Sequence, residues 1–153
     1  NVSGMDFGSS KNGIWSDEIG HHVDFIDASD SQSAEKNFHN LEKYSMHYCV
    51  RPIFGGGVWR SFKPFTKGII AAHCGSPVIV NKGVDDVDYF LPNDYPYLVD
   101  GNDESSVIDV IEKAKSTFGS ADWLMALDVM RNIVDMTTPK AMAEQFSNIF
   151  NEF

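Results

Sequence analysis

Basic residues and glycines are concentrated in one stretch of this chain. Residues 43–84 contain no Asp or Glu, yet they hold half of the 12 Lys and Arg residues. The whole chain carries a formal net charge of −10. Core-forming elements are often poor in charge, which explains the missing acids but not the clustered bases. An acid-free basic stretch in an acidic protein indicates an anionic ligand.

The segment that follows Arg51 is the strongest candidate for this anion site. A glycine-rich loop at residues 53–61 leads into a helix expected at about residues 64–73. Glycines let a backbone approach a ligand closely, and a helix N-terminus exposes unpaired N–H groups with a partial positive charge. The sequence therefore predicts a phosphate site here, with Arg51 itself structural. The predicted ligand-binding residues are Gly56, Gly57, Trp59, Arg60, Ser61, Lys63, Thr66, Lys67 and Asp85.

The cations of this segment give the most specific expectation. Lys63 and Lys67 lie four residues apart, so both fall on one helix face. Cations near a helix N-terminus cost roughly 0.3–1 kcal/mol each unless an anion neutralises them. Arg60, Lys63 and Lys67 are therefore expected to contact a diphosphate, with Gly56 and Gly57 close to it. The alternative is that both lysines point into solvent. The loop matches neither the Walker phosphate motif nor the dinucleotide fingerprint.

Two further groups near this segment leave alternatives open. Asp85, Asp86 and Asp88 follow an apolar strand pattern, where they would hold a cation or sugar hydroxyls, or form a solvated loop before a helix. Trp59 would either stack on a base or sugar or pack the loop down. His73, late in the expected helix, is interpreted as structural.

No metal site is predicted from the histidines or cysteines. His21 and His22 are adjacent, and adjacent strand residues face opposite sides of a sheet. Cys49 and Cys74 are too few and too far apart for a zinc site, so two free thiols are expected.

Strands and helices alternate in the hydrophobic pattern. Residues 1–20 are ambiguous, and 2–7 would fit a strand followed by a loop. Strands are predicted at 22–27, 47–51, 78–80 and 97–99, and helices at 34–46, 64–73, 87–91, 106–118, 121–136 and from 139 to the C-terminus. This order predicts an α/β fold: a three-layer α/β/α Rossmann-like domain with a parallel sheet and extra C-terminal helices. Right-handed crossovers place all strand carboxyl ends at one edge, where ligands of such sheets bind.

One run within this pattern resembles a known family. The residues Phe62-Lys63-Pro64-Phe65-Thr66-Lys67-Gly68-Ile69-Ile70-Ala71-Ala72-His73-Cys74-Gly75-Ser76-Pro77-Val78-Ile79-Val80 resemble the C-terminal, donor-binding domain of glycosyltransferases with the two-domain GT-B fold. The resemblance covers roughly residues 20–100. It implies that the loop and helix start hold the diphosphate of a nucleotide sugar, with no metal or other cofactor. The next loop and the helix body would hold the sugar and ribose.

The chain departs from this family at two points. Many retaining members carry two glutamates that align with Phe62 and Ile70, and neither residue is acidic here. GT-B enzymes also place their active site between two domains, and 153 residues make one. The expectation is a single nucleotide-sugar-binding domain, residues 1–153, of a larger two-domain enzyme of polysaccharide biosynthesis.

The resemblance also implies partners and a location. The expected partners are a nucleotide sugar, a glycan or lipid-linked acceptor, and a missing N-terminal domain or a second copy of the chain. Nucleic acid is excluded because binding it needs a basic surface. The expected location is cytoplasmic, with the inner face of the membrane as an alternative. Two other interpretations remain: a non-catalytic Rossmann-like module that binds an anionic ligand or a partner protein, and a flavodoxin- or Rossmann-like domain of another kind.

Overall fold

A computed structural model describes residues 2–8, 15–51, 64–83, 86–101 and 103–151. Within these ranges, five strands form one parallel sheet in the order β2-β1-β3-β4-β5. The strands are β1 (Gly4–Gly8), β2 (Val23–Asp27), β3 (Met46–Tyr48), β4 (Val78–Asn81) and β5 (Leu98–Val99). The predicted α/β fold with a parallel sheet is confirmed, and each strand overlaps its predicted segment.

Seven α-helices flank this sheet in the described part of the chain, as expected for a three-layer Rossmann-like fold. They are α1 (Asp17–Gly20), α2 (Ser31–Phe38), α3 (Thr66–His73), α4 (Val87–Phe90), α5 (Glu104–Ser116), α6 (Ala121–Met136) and α7 (Pro139–Asn151). The predicted bounds of α6 are confirmed at both ends. None of the helices in the described ranges is both long and apolar enough to cross a membrane.

Local signals of the sequence set several of these boundaries. The Asp103 side chain accepts a hydrogen bond from the Ser106 N–H at 2.9 Å, which fixes the start of α5. Gly75 follows α3 with a φ of 70°, a left-handed conformation that favours glycine at a helix end. The chain then returns directly to the sheet at β4.

The helix predicted at 34–46 is wrong in extent. It begins earlier, because Asp30 caps it by accepting from the Ser33 N–H at 2.8 Å. It ends at Phe38, and a 3-10 turn at Leu41–Lys43 follows. Asn37 donates to the carbonyl of Asp27 at 2.8 Å, which ties the end of α2 to the end of β2. The chain must then turn so that β3 begins at Met46, and tertiary packing of this turn overrides the helical spacing.

The hydrophobic core continues from the sheet into the layer formed by α3 and α6. Tyr95 is a buried polar side chain of this core. Its hydroxyl accepts from the N–H of Val78 at 2.9 Å and donates to the carbonyl of the same residue at 3.1 Å. Tyr95 thereby satisfies both backbone groups at the start of β4, which the β3 ladder does not use.

Tyr95→Phe is expected to lower the free energy of unfolding by about 1.5 kcal/mol, because it leaves the Val78 N–H buried without an acceptor. Urea denaturation measures the loss. Tyr89→Phe is the matched control, since Tyr89 is an exposed tyrosine, and it should change stability by less than about 0.5 kcal/mol. Equal stability of the two variants would contradict this role of Tyr95.

Candidate functional site

The strand order places a switch point between β1 and β3. The chain moves from β1 to β2 in one direction and then returns across β1 to β3. Pairing of β1 with β3 ends at Met5↔His47, whereas pairing of β1 with β2 continues to Gly8↔Asp27. Among the described residues, the carboxyl half of β1 is therefore paired on one side only. Open parallel sheets bind ligands beyond the strand ends at such a point.

A buried ion pair lies at this switch point. The ammonium of Lys67 contacts Oδ1 of Asp6, so the first turn of α3 is joined to the unpaired side of β1. The Asp6 side chain is 1% exposed and that of Lys67 is 29% exposed. Burial raises the pKa of Asp6, and this outweighs the lowering by the charges of Lys67 and Arg51. The charges of Lys67 and Arg51 thus offset part of the cost of burying this carboxylate.

The first turn of α3 owes its position to Phe65. This residue precedes the helix, is buried, and stacks on Phe90 of α4 at 5.6 Å between ring centroids. Gly68, one turn later, packs directly against the Phe65 ring. The absence of a side chain at Gly68 lets the ring lie against the helix. Phe65 and Gly68 together therefore hold Lys67 over Asp6.

Arg51 follows β3 in the chain, three residues after the strand ends, on the other side of the switch point from β1. Its N–H donates to Oδ1 of Asn81, the last residue of β4, at 2.7 Å. Asn81 is fully buried. This bond fixes the backbone direction where the chain leaves the sheet. The guanidinium also acts on Asp6 through its charge.

Three buried polar atoms have no hydrogen-bond partner among the described residues: Asp6 Oδ2, His47 Nε2 and Asn81 Nδ2. Burial lowers the pKa of His47 to about 4, so this ring is neutral at pH 7. It lines a cavity of about 10 Å³ together with Lys67, which is room for about one water molecule. Asn81 is instead the last residue of β4, and Asp6 lies at the middle of β1, just beyond the point where its pairing with β3 ends.

A larger cavity of about 310 Å³ lies beside α3, away from this pair. It is lined by Phe38, His39, Glu42, Ile69, Ile70, His73 and Cys74. The Nε2 atom of His73 lies 3.2 Å from the hydroxyl of Thr137. Cys49 and Cys74 are free thiols, as predicted. The described side chains contain no group of three His, Cys, Asp or Glu residues arranged to hold a metal ion.

The structure describes two of the residues predicted to bind the ligand. Thr66 is exposed at the start of α3, and Lys67 follows it at the switch point. The others lie outside the described residues: Gly56, Gly57, Trp59, Arg60, Ser61, Lys63 and Asp85. Sequence reasoning missed Asp6. The signal was a carboxylate between Met5 and Phe7, inside a strand pattern where a buried acid requires a partner.

Comparisons with known proteins do not assign the chain to a family. No model of a known protein family matches it, and no curated protein does so either.

Proposed function

We propose that the sheet edge at Asp6 and Lys67 binds the diphosphate of a nucleotide sugar. The chain would then be the donor-binding domain of a glycosyltransferase, which moves the sugar to a glycan or lipid-linked acceptor. The observation that carries the proposal is the position of the Lys67 ammonium, in the first turn of α3 and at the switch point of the sheet.

The electrostatics of this position support an anionic ligand. An ammonium has three donors, and the bond to Asp6 uses one of them. The Lys67 side chain is partly exposed, so it is accessible to a ligand at the sheet edge. The N–H groups at the start of α3 add a partial positive charge at the same place. The chain has a net charge of −10, so a positive electrostatic potential at this place is opposite in sign to the charge of the whole chain.

The resemblance to GT-B donor domains supports the choice of a nucleotide sugar among anions. In that family the corresponding helix start binds the diphosphate, and the positive groups there stabilise the nucleoside diphosphate as it leaves. Ile70, which aligns with a family glutamate, is a half-buried residue of α3. Recognition of the sugar hydroxyls in this chain would therefore depend on groups other than a carboxylate at position 70.

A non-catalytic module is the second candidate, and the surface of α7 fits its contact with a partner protein, as it fits a contact with the second domain of the proposed enzyme. This helix packs on α6 and leaves four large apolar side chains exposed: Met142, Phe146, Ile149 and Phe150. An exposed apolar row of this kind marks a contact surface for another protein or domain. A nucleotide sugar that binds but is neither transferred nor hydrolysed would favour this candidate over an enzyme.

A thermal-shift and calorimetry series with UDP, GDP, dTDP and their hexose conjugates tests the proposal, because a ligand of the folded state raises its stability. At least one nucleotide is expected to stabilise the chain. Asp6→Asn/Lys67→Met, which replaces the ion pair by a neutral pair, should bind that nucleotide at least about 10-fold more weakly, a loss of about 1.4 kcal/mol.

Lys82→Met is the matched control. Lys82 belongs to the same acid-free stretch but forms an exposed pair with Asp100 at 2.9 Å. It should bind the nucleotide as the unmodified chain does. If no nucleotide of the series stabilises the chain, the proposed function is wrong. If the double variant keeps full affinity, the ligand binds elsewhere.

A further inference from the structure

Asp6 has one oxygen with a partner and one without. Oδ1 accepts from Lys67, whereas Oδ2 has no hydrogen-bond donor among the described residues. The side chain is almost completely buried, so bulk solvent does not reach this oxygen. A buried polar atom without a partner costs about 1–3 kcal/mol, and more when it is charged. An unsatisfied group of this kind at a ligand-binding edge indicates a contact that a ligand completes.

The chemistry of the pair restricts this ligand. An ionised carboxylate only accepts hydrogen bonds, so the partner of Oδ2 must be a donor. The adjacent ammonium of Lys67 only donates, so it requires an acceptor or an anion. The ligand must therefore present a hydrogen-bond donor close to an anionic group. Inorganic diphosphate keeps only about one acidic P–OH proton at neutral pH, whereas a phosphate ester of a sugar offers several hydroxyl donors that do not ionise beside its anionic oxygens.

Among the described groups around Asp6, none offers a second carboxylate, so Asp6 itself would accept the hydrogen bond from the ligand's donor. On β2, the residue in register with it is Phe25, which has no polar side chain. Among the described residues, the charged groups that act on Asp6 are Lys67 from α3 and Arg51 from the segment after β3, and both are donors. From β3, Tyr48 also lies within electrostatic range of Asp6. Asp6 is thus an acceptor with donors on both sides in the described part of the site.

We infer that Asp6 accepts a hydrogen bond from a hydroxyl of the ligand whose phosphate Lys67 binds. Asp6 is then a specificity-determining residue: it selects sugar-bearing phosphate esters over free inorganic anions. This inference rests on the proposed function and goes beyond it, because a site built from Lys67 and the start of α3 alone would accept any diphosphate.

Asp6→Asn in the full chain tests the inference with two kinds of probe. The variant keeps the shape of the side chain but removes its charge. The probes are inorganic diphosphate and a panel of UDP-glucose, dTDP-glucose and GDP-mannose, measured by calorimetry. Affinity for the sugar nucleotide that binds the unmodified chain is expected to fall about 10-fold. Affinity for inorganic diphosphate should stay the same or rise, since an anion next to Lys67 has been removed.

Every other combination of affinity changes for the two kinds of probe overturns the inference. Weaker binding of both probes would mean that Asp6 only positions Lys67. Stronger binding of both would mean that Asp6 only competes with anions for Lys67. Retained binding of inorganic diphosphate also shows that the variant is folded. Failure of the proposed function is seen separately and earlier, because the unmodified chain would then bind no sugar nucleotide in the panel.

Discussion

Lys67→Met is expected to lower the free energy of unfolding by about 3 kcal/mol at neutral pH, since it leaves the Asp6 carboxylate buried without its counter-charge. This is the lower end of the range for broken buried pairs, because Lys67 is partly exposed and Asp6 alone is fully desolvated. Urea denaturation of the purified variant gives the value. Met keeps most of the aliphatic length of Lys, so little of the loss reflects packing.

The loss should shrink as the pH falls. The pKa of Asp6 is already raised from 3.8 by burial, so the folded chain binds more protons than the unfolded chain between the two pKa values. Ionised Asp6 is therefore a cost to the fold above its folded pKa, and this cost is relieved as the pH falls towards 3.8. Removing Lys67 raises the folded pKa further and widens this pH window. Denaturation curves at pH 7.5 and pH 5 should show a smaller loss at the lower pH.

Two controls separate this effect from a general loss of charge. Asp6→Asn/Lys67→Met should recover most of the lost stability, because it leaves no buried charge. Lys82→Met removes one partner of an exposed pair with Asp100 and should cost less than about 1 kcal/mol. A loss for Lys67→Met that is no larger than the loss for Lys82→Met, or that is the same at both pH values, would contradict a buried ion pair.

The fold follows the sequence closely where local signals and burial agree. The period of α6, the cap at Asp103 and the stop at Gly75 are each set by neighbouring residues, so the pattern predicts them well. The end of α2 is different, because the tie from Asn37 to β2 depends on how the chain packs after it folds. The order of the strands likewise depends on long-range pairing, which no local period encodes.

The ion pair of Asp6 and Lys67 is likewise a feature that local sequence patterns do not predict. The clustered bases indicate that Lys67 has an anionic partner, and the sequence offered a ligand or solvent as alternatives. The structure adds an internal partner, Asp6, which is 61 residues away in the chain. Each residue is of an unusual type for its position in the sequence: Lys67 is a cation at a helix start, and Asp6 is an acid inside a strand. Only the sheet topology, with β1 beside β3, brings the two residues together.

Gly68→Ala is expected to lower the free energy of unfolding by about 2 kcal/mol, although Gly→Ala inside a helix usually adds up to about 1 kcal/mol of stability. A Cβ at position 68 would overlap the ring of Phe65. The ring is buried and stacked on Phe90, so it has no free space to enter. Either the ring or the first turn of α3 must move, and that turn carries Lys67. Thermal and urea denaturation measure the loss.

Gly20→Ala is the control, since Gly20 is also a helical glycine, the last residue of α1, but its added Cβ would meet only the Trp15 Nε1 at 3.8 Å. That variant should be neutral or slightly stabilised. The decisive comparison is the cost of Gly68→Ala in a Phe65→Leu background, where the smaller side chain makes room. If contact with the ring is the cause, the two substitutions are coupled and the cost of alanine falls by more than about 1 kcal/mol. An unchanged cost would place the strain in the helix backbone instead, and Phe65 would then not be what fixes Lys67 over Asp6.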